Sequence, residues 1–388
     1  MKQARILFVI IIFFLGLVLA SCVPGGTRPL QGWSGTAFDD GIVYVGSRDG
    51  KVVAVSLSSE KEEWSYLIAT PSKGTMSCGQ TSTASAIYGT PVVDGDLVYI
   101  GSYAGKVLAL SKSARSQGLE FPQKRNGEWV YPAATGEVIG AIVGSVVVGE
   151  NAIYVASASG RVYSLDKEFG DLNWESDVLG EKLWMTPVIE GDAIYVSTFG
   201  GYLYGLSTRN GALLWSFKAD EGLVSSPVLY KDTIFAGSFG HNLYAVKIGS
   251  DKPLWKFSGG NWFWAAPVVS GGVVYAGCLD GKIYAINAET GEQLWAFDAE
   301  SSIASSPVLM DDLLVVACDS GEVYILKTGA TVNSRLANKI SIGASIRSSL
   351  CVQEGMAYVR AQDNCLYALD IAKGEIGWKF PLTAKEES

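Results

Sequence analysis

The sequence predicts an all-β fold, an eight-bladed β-propeller of four-stranded antiparallel blades, and three observations predict it. A unit of about 40 residues recurs along the chain. Glycine and tyrosine are abundant, at 45 and 18 of 388 residues, which favours many short strands joined by tight turns. Outside the N-terminus no long stretch carries the apolar period of a helix.

The clearest copy begins at Pro267. Val268-Val269 reads as a short strand, and Ser270-Gly271-Gly272 turns the chain. Val273 to Gly277 is a second strand, closed by the hairpin turn Asp280-Gly281, where glycine accepts positive φ cheaply. Ile283 to Asn287 forms the third strand, and Thr290-Gly291 turns into a fourth at Leu294 to Phe297. The hairpin position recurs at Gly50, Gly105, Gly160, Gly201, His241, Gly281, Gly321 and Asn364. Six residues before each lie Tyr44, Tyr99, Tyr154, Tyr195, Phe235, Tyr275, Val315 and Tyr358. Fourteen before lie Thr36, Pro91, Val146, Pro187, Pro227, Pro267, Pro307 and Leu350. Such a unit has two apolar faces and cannot stand alone; a ring buries both and leaves no exposed end. The first and last copies each complete four strands, so closure is expected by packing of blade 8 on blade 1. The segment before Trp33 remains able to add a strand.

Residues 1–21 read as a processing signal: Lys2 and Arg5 precede the apolar run Ile6 to Ala20. Leu19-Ala20-Ser21-Cys22 resembles the lipobox of bacterial lipoproteins, which implies cleavage before Cys22 and its acylation. Several acyl chains anchor stably where one does not. The expected organisation is a signal peptide at 1–21, a lipidated tether at 22–32, the propeller at 33–381 and a polar tail at 382–388. The mature chain then lies outside the cytoplasm, on the periplasmic face of an outer membrane if the source has one and otherwise on the outer face of the cell membrane. Loss of Lys2 and Arg5 takes the formal charge from −9 to −11, which argues against nucleic acid as a general partner.

The tract ending in Tyr-Ala-Leu/Ile, Thr-Gly and Leu-Trp-x-Phe resembles the propeller repeat of the quinoprotein dehydrogenases, over roughly residues 33–381. The resemblance implies that the fourth-strand tryptophans Trp64, Trp129, Trp174, Trp215, Trp255, Trp295 and Trp378 dock flat between neighbouring blades. Blade 7 departs from the pattern, with Arg335 at the expected place.

Insertions at 68–88 and 111–128 fall before the first strand of blade 2 and between its third and fourth strands, hence on opposite faces. The second carries a basic cluster of Lys112, Arg115, Lys124 and Arg125. Three residues before the first-strand position stand Trp33, Tyr88, Val143, Trp184, Val224, Trp264, Ala304 and Arg347. These start the innermost strands and should ring one mouth of the central channel, with Trp262 and Phe263 beside blade 6. Aromatic residues with an arginine resemble a recognition surface; packing that plugs the channel is the competing reading.

Catalytic signals are weak. His241, the sole histidine, sits at a hairpin turn, and neither histidine count nor cysteine spacing supports a zinc site. The quinoprotein enzymes use a quinone with calcium, many with an adjacent cysteine pair, and this chain has no adjacent cysteines. Asp49, Asp280 and Asp363 read as turn residues. No cofactor is expected. Cys278 and Cys318 share one register in blades 6 and 7, so a disulfide between them is a candidate.

Size, lipobox and the eight-blade tryptophan repeat together resemble the BamB family, lipoprotein scaffolds of the outer-membrane β-barrel assembly machinery. The resemblance implies a non-enzymatic, monomeric propeller that holds a protein partner such as an assembly barrel. Two alternatives stand beside it: a quinone-dependent dehydrogenase or redox partner, and a cell-surface propeller that binds glycan or peptide through the aromatic mouth.

Overall fold

The structure is a computed structural model that describes residues 33–70, 83–113, 127–133, 138–329, 331 and 334–382. Its strands form eight four-stranded antiparallel sheets, each from four consecutive strands, plus a two-stranded ribbon pairing Ala69–Thr70 with Thr83–Ala84. In blade 6 the strands are Val268–Ser270, Val273–Gly277, Lys282–Asn287 and Gln293–Asp298. The second strand alternates between two buried faces because both lie against neighbouring blades, which is why it reads as unbroken apolar sequence. His241 adopts a left-handed φ of 62° at the hairpin position that glycine fills in six other blades.

Eight apolar clusters, one for each interface between neighbouring blades, make up the core among the described residues. One of them closes the ring: Val43, Val45, Val53 and Val55 of blade 1 pack on Tyr358, Leu366 and Ala368 of blade 8. Hydrogen bonds cross the same seam, with Thr36 Oγ1 donating to the Tyr358 carbonyl (2.8 Å) and the Cys351 amide donating to Thr36 Oγ1 (3.1 Å). Each sheet keeps its own four strands, so closure is by side-chain packing and not by a strand exchanged between the chain ends. The segment before Trp33 lies outside the described residues.

The fourth-strand tryptophans act as latches between blades. The indole N–H of Trp64, Trp129, Trp174, Trp215 and Trp255 donates to a carbonyl just past the third strand of the next blade, at 2.9–3.1 Å. Within its own blade each ring also meets the second-strand aromatic, as in Phe235–Trp255 at 5.6 Å and Tyr275–Trp295 at 5.7 Å. Glycine is required above them: a Cβ on Gly291, at φ +74°, would lie 2.7 Å from Trp255.

Blade 7 corrects the expectation for Arg335. Cross-strand register places Asn338, not Arg335, opposite Ile325, the position equivalent to Trp295 opposite Ala285. The third-to-fourth hairpin of blade 7 is longer than that of blade 6, which displaces the register from a simple 40-residue count. Asn338 Nδ2 donates to the Ile371 carbonyl at 2.8 Å, so a smaller side chain keeps the latch. Arg335 instead stacks its guanidinium 3.8 Å from the Trp295 ring centre and donates to the carbonyls of Lys327 and Thr328. It roofs the tryptophan where other blades use a glycine turn.

The candidate disulfide is also corrected. Cys278 and Cys318 are free, buried thiols. Equal register means equal face, so Cys278 points into the interface of blades 5 and 6 while Cys318 points into that of blades 6 and 7. The Cys278 thiol donates to the Asn261 carbonyl (3.2 Å), and burial pushes its pKa up to about 12.

Candidate functional site

The strand that opens each blade is the innermost, so the residues just before it converge on the axis. Trp33, Tyr88, Val143, Trp184, Val224, Trp264, Ala304 and Arg347 all line one central opening with a cavity volume of about 130 Å³. Val224 is fully buried at its wall, whereas the others keep partial or full exposure. Trp262 stands beside Trp264 in an adjoining slot. Phe263 does not join them: it points the other way, buried in the core between blades 5 and 6.

A second ring overlies the first. In six blades the residue two before the hairpin position donates its amide to a carbonyl of its own blade's entry segment, as in Phe239 to Gly222 and Leu279 to Trp262, both at 2.9 Å. That clamp brings Tyr103 and Phe239 to the mouth, where the Phe199 ring joins them. Trp184 meets Phe199 at 5.2 Å, Phe199 meets Phe239 at 5.7 Å, and Phe239 meets Trp262 at 4.8 Å and Trp264 at 6.5 Å. The result is an aromatic arc across blades 4 to 6. A smaller arc joins Trp33 to Tyr88 at 4.6 Å and Tyr88 to Tyr103 at 5.3 Å. Burial, reinforced by Tyr103, raises the Tyr88 pKa, so its hydroxyl stays neutral at physiological pH. The second ring is legible as a register two before each turn, but only three of its eight members are aromatic.

Opposite the large arc the mouth is polar. Arg347 Nε and Nη2 donate to the two carboxylate oxygens of Asp319, at 2.8 and 3.1 Å, and Ser345 Oγ donates to the same carboxylate. This bidentate hydrogen bonding holds the Arg347 pKa above its ordinary value, and the pair is electrically balanced. At the seam of blades 8 and 1 lies Arg360, buried where other blades carry glycine, alanine or serine. Burial, with Arg48 nearby, lowers its pKa to about 10.

Just inside the lip, hydroxyls link blade to blade. The amides of Thr90, Ser145, Thr186 and Ala266 donate to the side-chain oxygens of Ser145, Thr186, Ser226 and Ser306, at 2.8–3.1 Å. This belt fixes the spacing of the blades at the axis.

Nothing in this arrangement assembles a nucleophile with a base. Among the described residues no group of three or more histidine, cysteine or acidic side chains is placed to hold a metal. The chain also lacks adjacent cysteines. The residues present therefore do not fit the quinone and calcium of the quinoprotein enzymes. Asp280 accepts from Tyr284 (2.6 Å) and from the amides of Lys282 and Gly260, and Asp363 accepts from Tyr367 (2.6 Å) and Lys379 (2.9 Å). Both serve their turns. Of the basic cluster in the second insertion, Lys112 pairs with Asp39 at 2.6 Å, and Arg115, Lys124 and Arg125 lie outside the described residues, as does Cys22.

Comparison with known proteins agrees with this picture. The chain is 28% identical over 168 residues to the outer membrane protein assembly factor BamB of Xanthomonas campestris pv. campestris, covering 43% of this chain and 36% of that one. It is 28% identical over 158 residues to the lupanine 17-hydroxylase [cytochrome c] of a Pseudomonas species, covering 39% and 20%. The matched region thus spans about a third or less of these curated relatives. The crystal structure of BamB from Moraxella catarrhalis shares the fold, with a TM-score of 0.65 at 17% identity over 86% of this chain and 93% of that one. The family model described as outer membrane protein assembly factor BamB matches residues 24–139, 123–250, 220–336 and 279–387, and the chain belongs to that family.

Proposed function

We propose that the protein is a non-enzymatic scaffold of outer-membrane β-barrel assembly, tethered by a lipid on Cys22 and docking a protein partner at its aromatic mouth. Membership of the BamB family implies an extracytoplasmic, membrane-associated location and a protein partner. The observation that carries the docking reading is the continuous aromatic arc of Trp184, Phe199, Phe239, Trp262 and Trp264 on a rigid frame. Clustered, partly exposed aromatic rings beside an arginine are the composition of interface anchors. The ring supplies a preorganised platform, because each blade is latched to the next and little ordering remains to be done on binding.

The test is purification of the anchored full chain in mild detergent, with identification of stoichiometric partners. Recovery of an outer-membrane assembly barrel is the expected result. No partner at any stoichiometry, together with calcium-dependent binding of the quinone by the purified protein, would overturn the reading.

A further inference from the structure

The mouth contains a slot whose shape and aromatic lining select what enters it. Its walls are the indoles of Trp33, Trp262 and Trp264, its floor is Ala304 with Leu279 and Ser302, and its remaining side is the ion pair of Arg347 with Asp319. The cavity volume is about 270 Å³, just under the range of clefts that take a small ligand, suited to one large side chain and far too small for a folded domain.

Arg347 is held in bidentate fashion by Asp319, so the pair presents a flat, charge-balanced surface. A phosphate or carboxylate ligand would have to displace Asp319, and a cationic one would face the guanidinium first. Charge is therefore not what the slot reads. A planar guanidinium does stack well on an aromatic ring, and indole walls pack well against its edges.

The central opening that the slot adjoins is lined by hydroxyls. The side-chain oxygens of Ser145, Thr186, Ser226 and Ser306 each accept a backbone amide. Each keeps its O–H donor for the channel, with one lone pair besides. The indole N–H of Trp184 is another donor, buried without an acceptor among the described residues. Donors of this kind match the carbonyl oxygens of a polypeptide backbone.

We propose that this slot receives one aromatic side chain, a tryptophan or tyrosine, carried on a loop of the protein partner. The ring lies between the indole walls and Arg347, and the carbonyls of the loop face the hydroxyl belt. This rests on the mouth being the docking surface of the scaffold, and it adds the chemistry of what docks there.

The test is a saturation-transfer NMR titration of the full chain, in a detergent without a sugar headgroup, using four separate probes. These are N-acetyl-tryptophanamide, N-acetyl-leucinamide, N-acetyl-alaninamide and a tetramer of N-acetylglucosamine. The tryptophan probe should bind with a Kd on the order of 1 mM and the alanine probe at least about tenfold more weakly. Trp264→Ala should weaken the tryptophan probe by about tenfold. Ala304→Trp fills the slot from its floor, leaves every wall in place, and should abolish binding while the unfolding midpoint stays that of the parent. Equal binding of the alanine and tryptophan probes, or tryptophan binding unchanged by Ala304→Trp, would overturn the proposal. Binding of the tetrasaccharide alone would overturn it in favour of a glycan site. No assembly partner takes part in this titration, so its failure leaves the co-purification result, and the scaffold reading, standing.

Discussion

Replacement of Gly291 by alanine probes the latch between blades 5 and 6. Two costs are separable there. The residue holds φ at +74°, where a Cβ costs about 1–2 kcal/mol. The same Cβ would lie 2.7 Å from two atoms of the Trp255 ring, so the ring or the turn must move, an overpacking cost of about 1–3 kcal/mol. Gly271 supplies the control: its φ is +57°, and a Cβ there meets nothing within 4 Å. Equilibrium urea denaturation should therefore give Gly271→Ala a loss of about 1 kcal/mol and Gly291→Ala about 2–5 kcal/mol. Trp255→Ala, which removes the ring and its 3.0 Å hydrogen bond to the Ala288 carbonyl, should cost about 3–5 kcal/mol. In that background Gly291→Ala meets no ring and falls back to the backbone cost alone. The double-mutant cycle should show a coupling of about 1–3 kcal/mol. Strict additivity of the two substitutions would refute the claim that the glycine exists to admit the tryptophan.

Other consequences follow from the same structure. Asn338→Ala should lower stability by about 1–3 kcal/mol in urea denaturation, because it leaves the Ile371 carbonyl unpaired, and Asn338→Gln should cost as much through misplaced geometry. Cys278 should resist iodoacetamide at pH 8 until urea unfolds the chain, and the intact mass under non-reducing conditions should show no bond from it to Cys318. At Asp280 and Asp363 burial opposes the charge, but hydrogen bonds from Tyr284 and its neighbours, and from Tyr367 and Lys379, outweigh it and hold both pKa values below the ordinary carboxylate range. A depressed folded-state pKa contributes stability that is complete above the unfolded value of about 3.9 and lost as pH falls through the folded value. The Asp280→Asn/Asp363→Asn chain should thus be less stable at pH 7, with a shallower fall below about pH 4 in acid denaturation.

Much of this was legible because the repeat is strict. The eight entry residues from Trp33 to Arg347 sit at one offset from the first strand, and a closed ring carries one offset to one height on the axis. The second ring was harder to see, since Tyr103, Phe199 and Phe239 share their register with Arg48, Ala158, Leu279, Asp319 and Gln362. No side-chain pattern marks it; the backbone clamp to the blade's own entry segment does, in six of the blades.

The two corrections come from geometry that a residue count does not contain. Counting forward from Trp295 leads to Arg335, but extra hairpin residues shift the paired position to Asn338. Val315 at the usual tyrosine position was the accompanying sign, because Asn338 needs no aromatic neighbour beneath it. Cys278 and Cys318 looked like partners because they share a register, yet in a propeller a shared register directs side chains into successive interfaces. Facing pairs come from different registers, as Thr36 and Cys351 show at the seam.

The most direct test of the central claim is site-specific photo-crosslinking in the native envelope. A photoreactive residue would replace Val143 at the mouth and, separately, Leu294 on the outer rim, where the side chain is 50% exposed. The Val143 position should link to a loop segment of an outer-membrane assembly protein, and the Leu294 position should not. Capture of that protein from Leu294 with none from Val143 would contradict it.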